Sequence, residues 1–513
     1  MDYLCALLLL TTLVQFGHGK PNFVIMFMDD MGWGDLGVYG NPARETPNLD
    51  QMAQEGILLT DMYTGSAICS PSRASLMTGR LPVRNGFYST NQVAKNSYSP
   101  QDVLGGIADS EVLFPEVLAK HGYYNKIVGK WHLGHRDQYL PLRHGFHEWF
   151  GAPNCHYKYD DVVMPNIPVY KDHLMTGRYY DDYHFDHETG IGNMTQLYIQ
   201  EALEFIEDRH KDDKPFLLYW APDATHTPLY ASKKFRGKSE RGLYGDAVME
   251  LDHGVGLILN KLKELGIADN TFAFFSSDNG AATYAHDDGG SNGPFLCGKQ
   301  TTFEGGFRQP ALAWYPGHIK PGRVSRQVSN LMDVFPTVLD LADIKLEEKV
   351  FLDGESIKET LLDVGKPDYH RPVFYYRGDL LFHVRFEQYK AYLYSWGSPL
   401  DAQSIGYKYC PGQHVDELTT NEMMNYTHQP KLAHLGRDPG EKFFLEPDSE
   451  EYKEAMTKIR EVIKVHEENM ERAKPEFNWC DLAVQNWAPN GCEKINRCMK
   501  APPSIPYMCD WPY

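Results

Sequence analysis

No run of about 20 consecutive apolar residues occurs anywhere in the chain, so nothing in it reads as a membrane-spanning helix. Basic residues are scarce beside acidic ones: 50 Lys and Arg face 69 Asp and Glu, a formal charge of −19. Nucleic-acid binding needs basic surface that displaces counterions, and this balance argues against it. The same surplus of carboxylates suits a protein working in acid, where part of that charge is neutralised. C-x-x-C pairs are missing, and with them the usual spacing of a structural zinc site. Internal repeats and low-complexity linkers are missing too. What remains is a composition of 42% hydrophobic and 23% charged residues, that of an ordinary folded protein. At 513 residues it is long enough for a large core and a second domain.

The apolar stretch from Leu4 to Val14, followed by the small Gly17 and Gly19 ahead of Lys20, reads as a signal peptide over residues 1–19. It is atypical in carrying Asp2 and no Lys or Arg before the apolar run. A secretory route makes Asn193-Met-Thr and Asn425-Tyr-Thr usable glycosylation acceptors. It also makes disulfides expected among Cys69, Cys155, Cys297, Cys410, Cys480, Cys492, Cys498 and Cys509. The last four lie among prolines and glycines with little regular periodicity, as in a tail stapled by disulfides.

Several apolar runs end abruptly in polar residues. Phe23–Met28 meets Asp29 and Asp30, Tyr123–Val128 meets Gly129-Lys130-Trp131-His132, Phe216–Trp220 precedes Asp223 and His226, and Phe272–Phe275 precedes Asp278-Asn279-Gly280. Such runs suit strands buried on both faces of a mostly parallel sheet. Helical patterns at Ser110–Lys120, Thr195–Arg209 and Tyr244–Leu265 alternate with them, which predicts a doubly wound α/β domain over residues 20–370. Ligands of such sheets bind beyond the carboxyl ends of the strands, where these polar residues fall. Short strands at Pro372–Tyr376 and Lys390–Tyr394 and a charged helix at Glu450–Arg472 predict a smaller antiparallel sheet domain over residues 371–473. The Cys/Pro-rich tail occupies residues 474–513.

The sharpest local signal is Cys69-Ser-Pro-Ser-Arg73, continued by Ala-Ser-Leu-Met-Thr-Gly-Arg80. Pro71 suits a first helical turn and Ser70 suits a cap, so Cys69 is expected at a helix N-terminus, where free amides favour an anion. Arg73 follows one turn along. Asp29, Asp30, Asp278 and Asn279 are hard oxygen donors, the set preferred by Ca²⁺ or Mg²⁺. Arg73, Lys130, His132, His226 and Lys299 form a cationic set able to receive an anionic ester. Lys299 lies in Gly293–Gly306, a glycine-rich loop suited to close approach of backbone to ligand.

The segments Asn22–Asp35, Cys69–Arg80 and Gly129-Lys-Trp-His-Leu-Gly134 resemble the formylglycine-dependent sulfatases, and the likeness extends through Thr301–Gly306, His434–Gly440 and Asn486–Cys492. That resemblance implies an alkaline-phosphatase/sulfatase-like fold and a nucleophile made when a formylglycine-generating enzyme oxidises Cys69, within Cys-x-Pro-x-Arg, to an aldehyde. On that resemblance one hydroxyl of the hydrated aldehyde attacks sulfur and the sugar alcohol leaves, and deprotonation of the second hydroxyl then reforms the aldehyde and expels sulfate. It implies one Ca²⁺ per subunit held by Asp29, Asp30, the modified Cys69, Asp278 and Asn279. Lys130 and His132 would orient the nucleophile, His226 and Lys299 would bind sulfate and assist the leaving oxygen, and Tyr98 would line the substrate pocket. Further implications are exo-removal of 6-sulfate from N-acetylgalactosamine or galactose in chondroitin and keratan sulfate, a lysosomal location and a homodimer. Disulfides Cys297–Cys410, Cys480–Cys509 and Cys492–Cys498 are implied in the same way, leaving Cys155 free. Another arylsulfatase or glycosaminoglycan sulfatase is the nearest alternative, with a metal-dependent phosphatase or a non-catalytic protein of the same fold more remote.

Overall fold

A computed structural model describes residues 19–91, 100–157, 162–346, 349–365, 370–397 and 408–509. Most of the signal-peptide segment, residues 1–18, and Tyr98 lie outside the described residues.

The largest sheet has ten strands, in the order Arg323–Ser325, Ile57–Leu59, Ala311–Trp314, Thr271–Ser277, Asn22–Met28, Phe216–Ala221, Tyr124–Gly129, Glu148–Gly151, Pro168–Lys171 and Leu174–Arg178. The five strands from Thr271–Ser277 to Glu148–Gly151 pair in parallel, and antiparallel strands flank them on both sides. Successive side chains of a strand point to opposite faces. Accordingly Phe23, Ile25 and Phe27 enter one apolar core while Val24, Met26 and Met28 enter another. Helices Phe114–Lys120 and Val334–Leu341 cover the first face; Pro47–Glu55, Met194–Lys211 and Gly242–Glu264 cover the second. The sheet is therefore doubly wound, and its fully buried strands explain the unbroken apolar runs.

Two predicted boundaries shift for identifiable reasons. The helix expected from Ser110 begins at Phe114, because Pro115 lies in its first turn and disfavours helical backbone before it. The strand expected over Lys390–Tyr394 runs Tyr389–Tyr392, and Tyr394–Ser395 pairs instead with Met424–Asn425.

The smaller sheet is antiparallel, in the order Val373–Arg377, Leu380–Phe386, Tyr389–Tyr392 and Lys431–His434. Helix Glu450–Glu468 packs on it through Tyr452, Ala455, Met456 and Ile459, and the Ser449 hydroxyl caps it by accepting from Tyr452 N at 3.3 Å. Disulfides join Cys297 to Cys410, Cys480 to Cys509 and Cys492 to Cys498; Cys69 and Cys155 are free and buried. Asn193 and Asn425 are exposed. Among the described residues no helix is long and apolar enough to cross a membrane.

Candidate active site

The strand-end residues converge beyond the carboxyl edge of the parallel strands. Asp29 and Asp30 leave the Asn22–Met28 strand, and Asp278 and Asn279 leave its neighbour Thr271–Ser277. Asp30 has φ 61° and His132 φ 65°, left-handed backbone that is uncommon outside glycine and concentrates at functional sites. Lys130 Nζ donates to Asp29 Oδ2 at 2.7 Å, and Lys299 Nζ to Asp30 Oδ2 at 2.8 Å. Asn279 Nδ2 donates to Asp30 Oδ1 at 2.7 Å. Asn279 Oδ1, by contrast, is buried and has no hydrogen-bond partner among the described residues. Ligand atoms of Asp29, Asp30, Cys69 and Asp278 all lie within 4.8 Å of one another. Gly280 allows the two loops to meet there: a Cβ on it would stand 1.7 Å from Gly305 O.

Cys69 is the first residue of the helix Cys69–Thr78, buried along its whole length. The cap differs from expectation. Ile68 occupies it in extended conformation, no side chain closes it, and Ser70 lies inside the first turn. The helix therefore starts at Cys69 with no side-chain cap on its first turn. Cys69 Sγ lies 3.6 Å from Asp29 Oδ1. Arg73 turns its guanidinium beneath the carboxylates, donating from Nε and Nη2 to Asp278 Oδ2 at 3.0 and 2.8 Å. It packs over Phe27, with the ring centroid 5.4 Å away, so its position is fixed by the core as well as by charge.

A family model described as Sulfatase matches residues 21–344, and one described as the C-terminal region of aryl-sulfatase matches residues 368–500. The chain belongs to the sulfatase family. It is 55% identical over 493 residues to N-acetylgalactosamine-6-sulfatase of Rattus norvegicus, covering 96% of this chain and 94% of that one; the Homo sapiens protein gives the same figures. Arylsulfatase A of Bos taurus is 37% identical over 443 residues, with 83% of each chain covered. Among solved structures, the PsFucS1 sulfatase from Pseudoalteromonas sp. is similar with a TM-score of 0.72 at 27% identity, over 88% of this chain and 92% of that one.

The sulfatase's site is buried, and burial governs its charges. Burial pushes the Cys69 thiol up, with Lys130 and Lys299 opposing, so the sulfur is a neutral thiol and a poor nucleophile. Burial also opposes ionisation of Asp29, yet Lys130, His226 and Arg73 hold it well below the usual carboxylate range. Asp30 is raised by burial against the pull of Lys299, and Asp278 is pushed up to about 6 by burial against Arg73. His132 falls well below the usual imidazole value through burial and the adjacent Lys130 and Arg73, and His226 falls through burial and Lys299.

His226 Nδ1 lies 2.7 Å from Thr227 O, a carbonyl that only accepts, so Nδ1 carries the hydrogen of the neutral ring. Nε2 faces Asp30 Oδ2 at 3.9 Å and gains a proton only when the ring is charged. A supporting network stands out less in the sequence. His156 Nε2 contacts His226 O at 2.9 Å and its Nδ1 contacts Asp223 Oδ2 at 3.1 Å, while Tyr179 and Tyr230 donate to Asp223 Oδ1 at 2.9 and 3.1 Å. Thr225 Oγ1 donates to Asp29 O at 2.6 Å, tying that loop to the Asn22–Met28 strand. Asp223 and Thr225 carried a usable signal, since they follow a buried strand; His156 and Tyr179 carried none. A cavity of about 660 Å³ opens over Cys69, His226 and Lys299, within the range of small-molecule pockets. Tyr284, Tyr409 and Gln300 contribute to its wall.

Proposed function

We propose that this sulfatase removes the 6-sulfate of N-acetylgalactosamine or galactose at the non-reducing ends of chondroitin and keratan sulfate. The observation that carries the reading is the 55% identity to N-acetylgalactosamine-6-sulfatases over nearly the whole chain, against 37% to an arylsulfatase A over a shorter span.

The donor set fits a hard divalent cation, and Ca²⁺ is the proposed ion: three carboxylates, an amide oxygen left without a partner, and position 69. Three buried cations, Arg73, Lys130 and Lys299, already balance Asp29, Asp30 and Asp278. A bound divalent ion therefore supplies net positive charge, which favours an anionic ester. Oxidised to formylglycine by its generating enzyme, position 69 would supply a hydrated aldehyde as nucleophile, replacing a thiol that burial keeps neutral.

The other side chains act around that centre. Lys130, anchored on Asp29, orients the nucleophilic hydroxyl, and neutral His132 takes its proton. Lys299 binds sulfate oxygens, and His226, charged at Nε2, donates to the departing sugar oxygen. Arg73 holds Asp278 in place. Tyr98 is retained as a pocket residue on the resemblance alone. The proposed organisation is a signal peptide at 1–19, a catalytic domain at 20–370, a sheet-plus-helix domain at 371–473 and a C-terminal meander at 474–513, in a lysosomal homodimer.

The test is hydrolysis by purified enzyme of oligosaccharides ending in 6-sulfated or 4-sulfated N-acetylgalactosamine. Release of sulfate from the 6-sulfated end alone is expected; preference for the 4-sulfated end would overturn the assignment.

A further inference from the structure

His226 stands on a tight turn that leaves the carboxyl end of the Phe216–Ala221 strand. Its N donates to Asp223 O at 3.0 Å, and Thr225 Oγ1 fastens the turn to Asp29 O at 2.6 Å. The ring is bonded at Nδ1 to Thr227 O, so the aim of Nε2 follows the path of the backbone through His226 and Thr227. His226 borders the reaction cavity. Behind it lies His156, in the loop after the Glu148–Gly151 strand, with none of its surface exposed. The two imidazole rings meet edge to face, their centroids 5.6 Å apart.

The His156 ring spans both ends of the turn. Nε2 lies 2.9 Å from His226 O, a carbonyl that only accepts, so Nε2 carries a hydrogen. Nδ1 lies 3.1 Å from Asp223 Oδ2 and 3.1 Å from the Tyr179 hydroxyl oxygen. Tyr179 and Tyr230 direct their own hydrogens to Asp223 Oδ1, so Nδ1 faces acceptors as well. A neutral ring has one N–H and serves one end of the turn; an imidazolium has two and serves both. Burial opposes that charge, but Asp223 raises His156 above the ordinary imidazole range.

We infer that His156 is a positioning residue for the leaving-group acid: holding His226 O through Nε2 and Asp223 through Nδ1, it fixes the turn that aims His226 Nε2 at the departing oxygen. This deepens the proposed function and rests on its premise that His226 is that acid. A general acid matters most where the leaving oxygen is basic and least where it departs readily as an anion. Loss of aim therefore shows in the dependence of rate on the leaving group, and not in the binding of sulfate.

The experiment measures kcat/KM of wild type, His156→Asn and His156→Gln on a series of phenyl sulfates, from 4-nitrophenyl sulfate to 4-methoxyphenyl sulfate, whose phenols grow steadily more basic. Gln sets its amide nitrogen where Nε2 stood and keeps the bond to His226 O; Asn sets its nitrogen nearer Nδ1 and loses that bond. His156→Asn should cost about 10- to 100-fold on the most basic phenol and under about threefold on 4-nitrophenyl sulfate. His156→Gln should recover most of the difference, and inhibition by inorganic sulfate should stay within about twofold in both, since the sulfate pocket is untouched. Equal losses along the series, an unchanged slope in His156→Asn, or a slope as steep in His156→Gln overturns the inference. Should these variants fail to accumulate, His156→Met combined with Asp223→Asn removes both charges together, leaves no buried ion alone, and should steepen the slope in the same way. His226→Ala is the control. A slope it leaves unchanged overturns the premise that His226 is the acid; a slope steepened by His226→Ala and not by the His156 variants overturns only the role of His156. Because the phenyl sulfates carry no sugar, neither result depends on which sugar the enzyme accepts.

Discussion

Replacing Lys390 by Met tests how the smaller sheet supports the loop that carries Lys299. Lys390 Nζ lies 2.8 Å from Glu441 Oε1, 3.1 Å from Glu304 Oε1 and 3.0 Å from Thr302 O, and all three charged side chains are fully buried. Burial opposes ionisation of Glu304, but Lys390, with Arg308 and Arg385, holds it far below the usual carboxylate range; Glu441 is raised by burial. Removing the ammonium leaves two carboxylates without their shared partner. Breaking a buried pair in this way costs about 3–5 kcal/mol. Thr302 and Glu304 follow Lys299 closely in the chain, and Glu304 N donates to Glu441 Oε2 at 2.7 Å, so the disturbance reaches the loop carrying Lys299. Urea unfolding followed by tryptophan fluorescence should show the loss, and kcat/KM should fall with it. Adding Glu441→Gln should restore part of the stability by removing one uncompensated carboxylate. A loss below about 1 kcal/mol, well under the usual cost of breaking a buried pair, would refute the reasoning.

Four further outcomes are expected. Mass spectrometry of active enzyme should find position 69 as a sulfur-free aldehyde, and Cys69→Ala should abolish turnover while leaving Tm nearly unchanged; full activity from an unmodified thiol would sink the modification. EGTA should lower activity and Tm together, with Ca²⁺ restoring both, and Asn279→Ala should raise the Ca²⁺ needed; indifference to chelation would remove the ion from the site. Because burial and Lys299 depress His226, the charged ring required for donation exists only below the ordinary imidazole value of about 6.5, so the alkaline limb of activity should lie under that pH. His226→Ala should cost about 10²–10⁴-fold on an alkyl sulfate and less on an aryl sulfate, and equal losses would make it a sulfate ligand and not the acid. His135, whose Nε2 meets Val484 O of the tail at 3.0 Å, is pushed down to about 4 by burial. Its folded value lies below its unfolded one, so its contribution is present above about pH 6.5 and is lost as pH falls to about 4, a difference of about 3 kcal/mol. His135→Gln should flatten the fall of Tm across that window, and an unchanged slope would argue that His135 titrates normally.

The sequence exposed those parts of the site whose positions follow from short-range rules. Strands buried on both faces are apolar throughout and end where polar residues begin, so Asp29, Lys130, Asp223 and Asp278 could be assigned to one edge of a sheet before their distances were known. The Cys69 helix was legible in the same way from its proline and its following turn, though not its cap, because Ile68 closes it without a side-chain bond. His156 carried no such mark, since a lone histidine in a loop becomes a support for His226 only through contacts with Asp223 and Tyr179.

By itself, then, the sequence determined the alternation of strand and helix, the chemistry gathered at the strand ends and the placing of Cys69 at a helix start, since each depends on periodicity or on neighbours within a few residues. Only the tertiary structure decided which charges pair, where Arg178 anchors the tail, and that Cys480, Leu482 and Tyr507 of the tail border the same cavity as Cys69. Those facts join segments hundreds of residues apart, and burial, which sets both the hydrogen-bond accounting and the direction of every pKa shift in the site, exists only once the chain has closed around them.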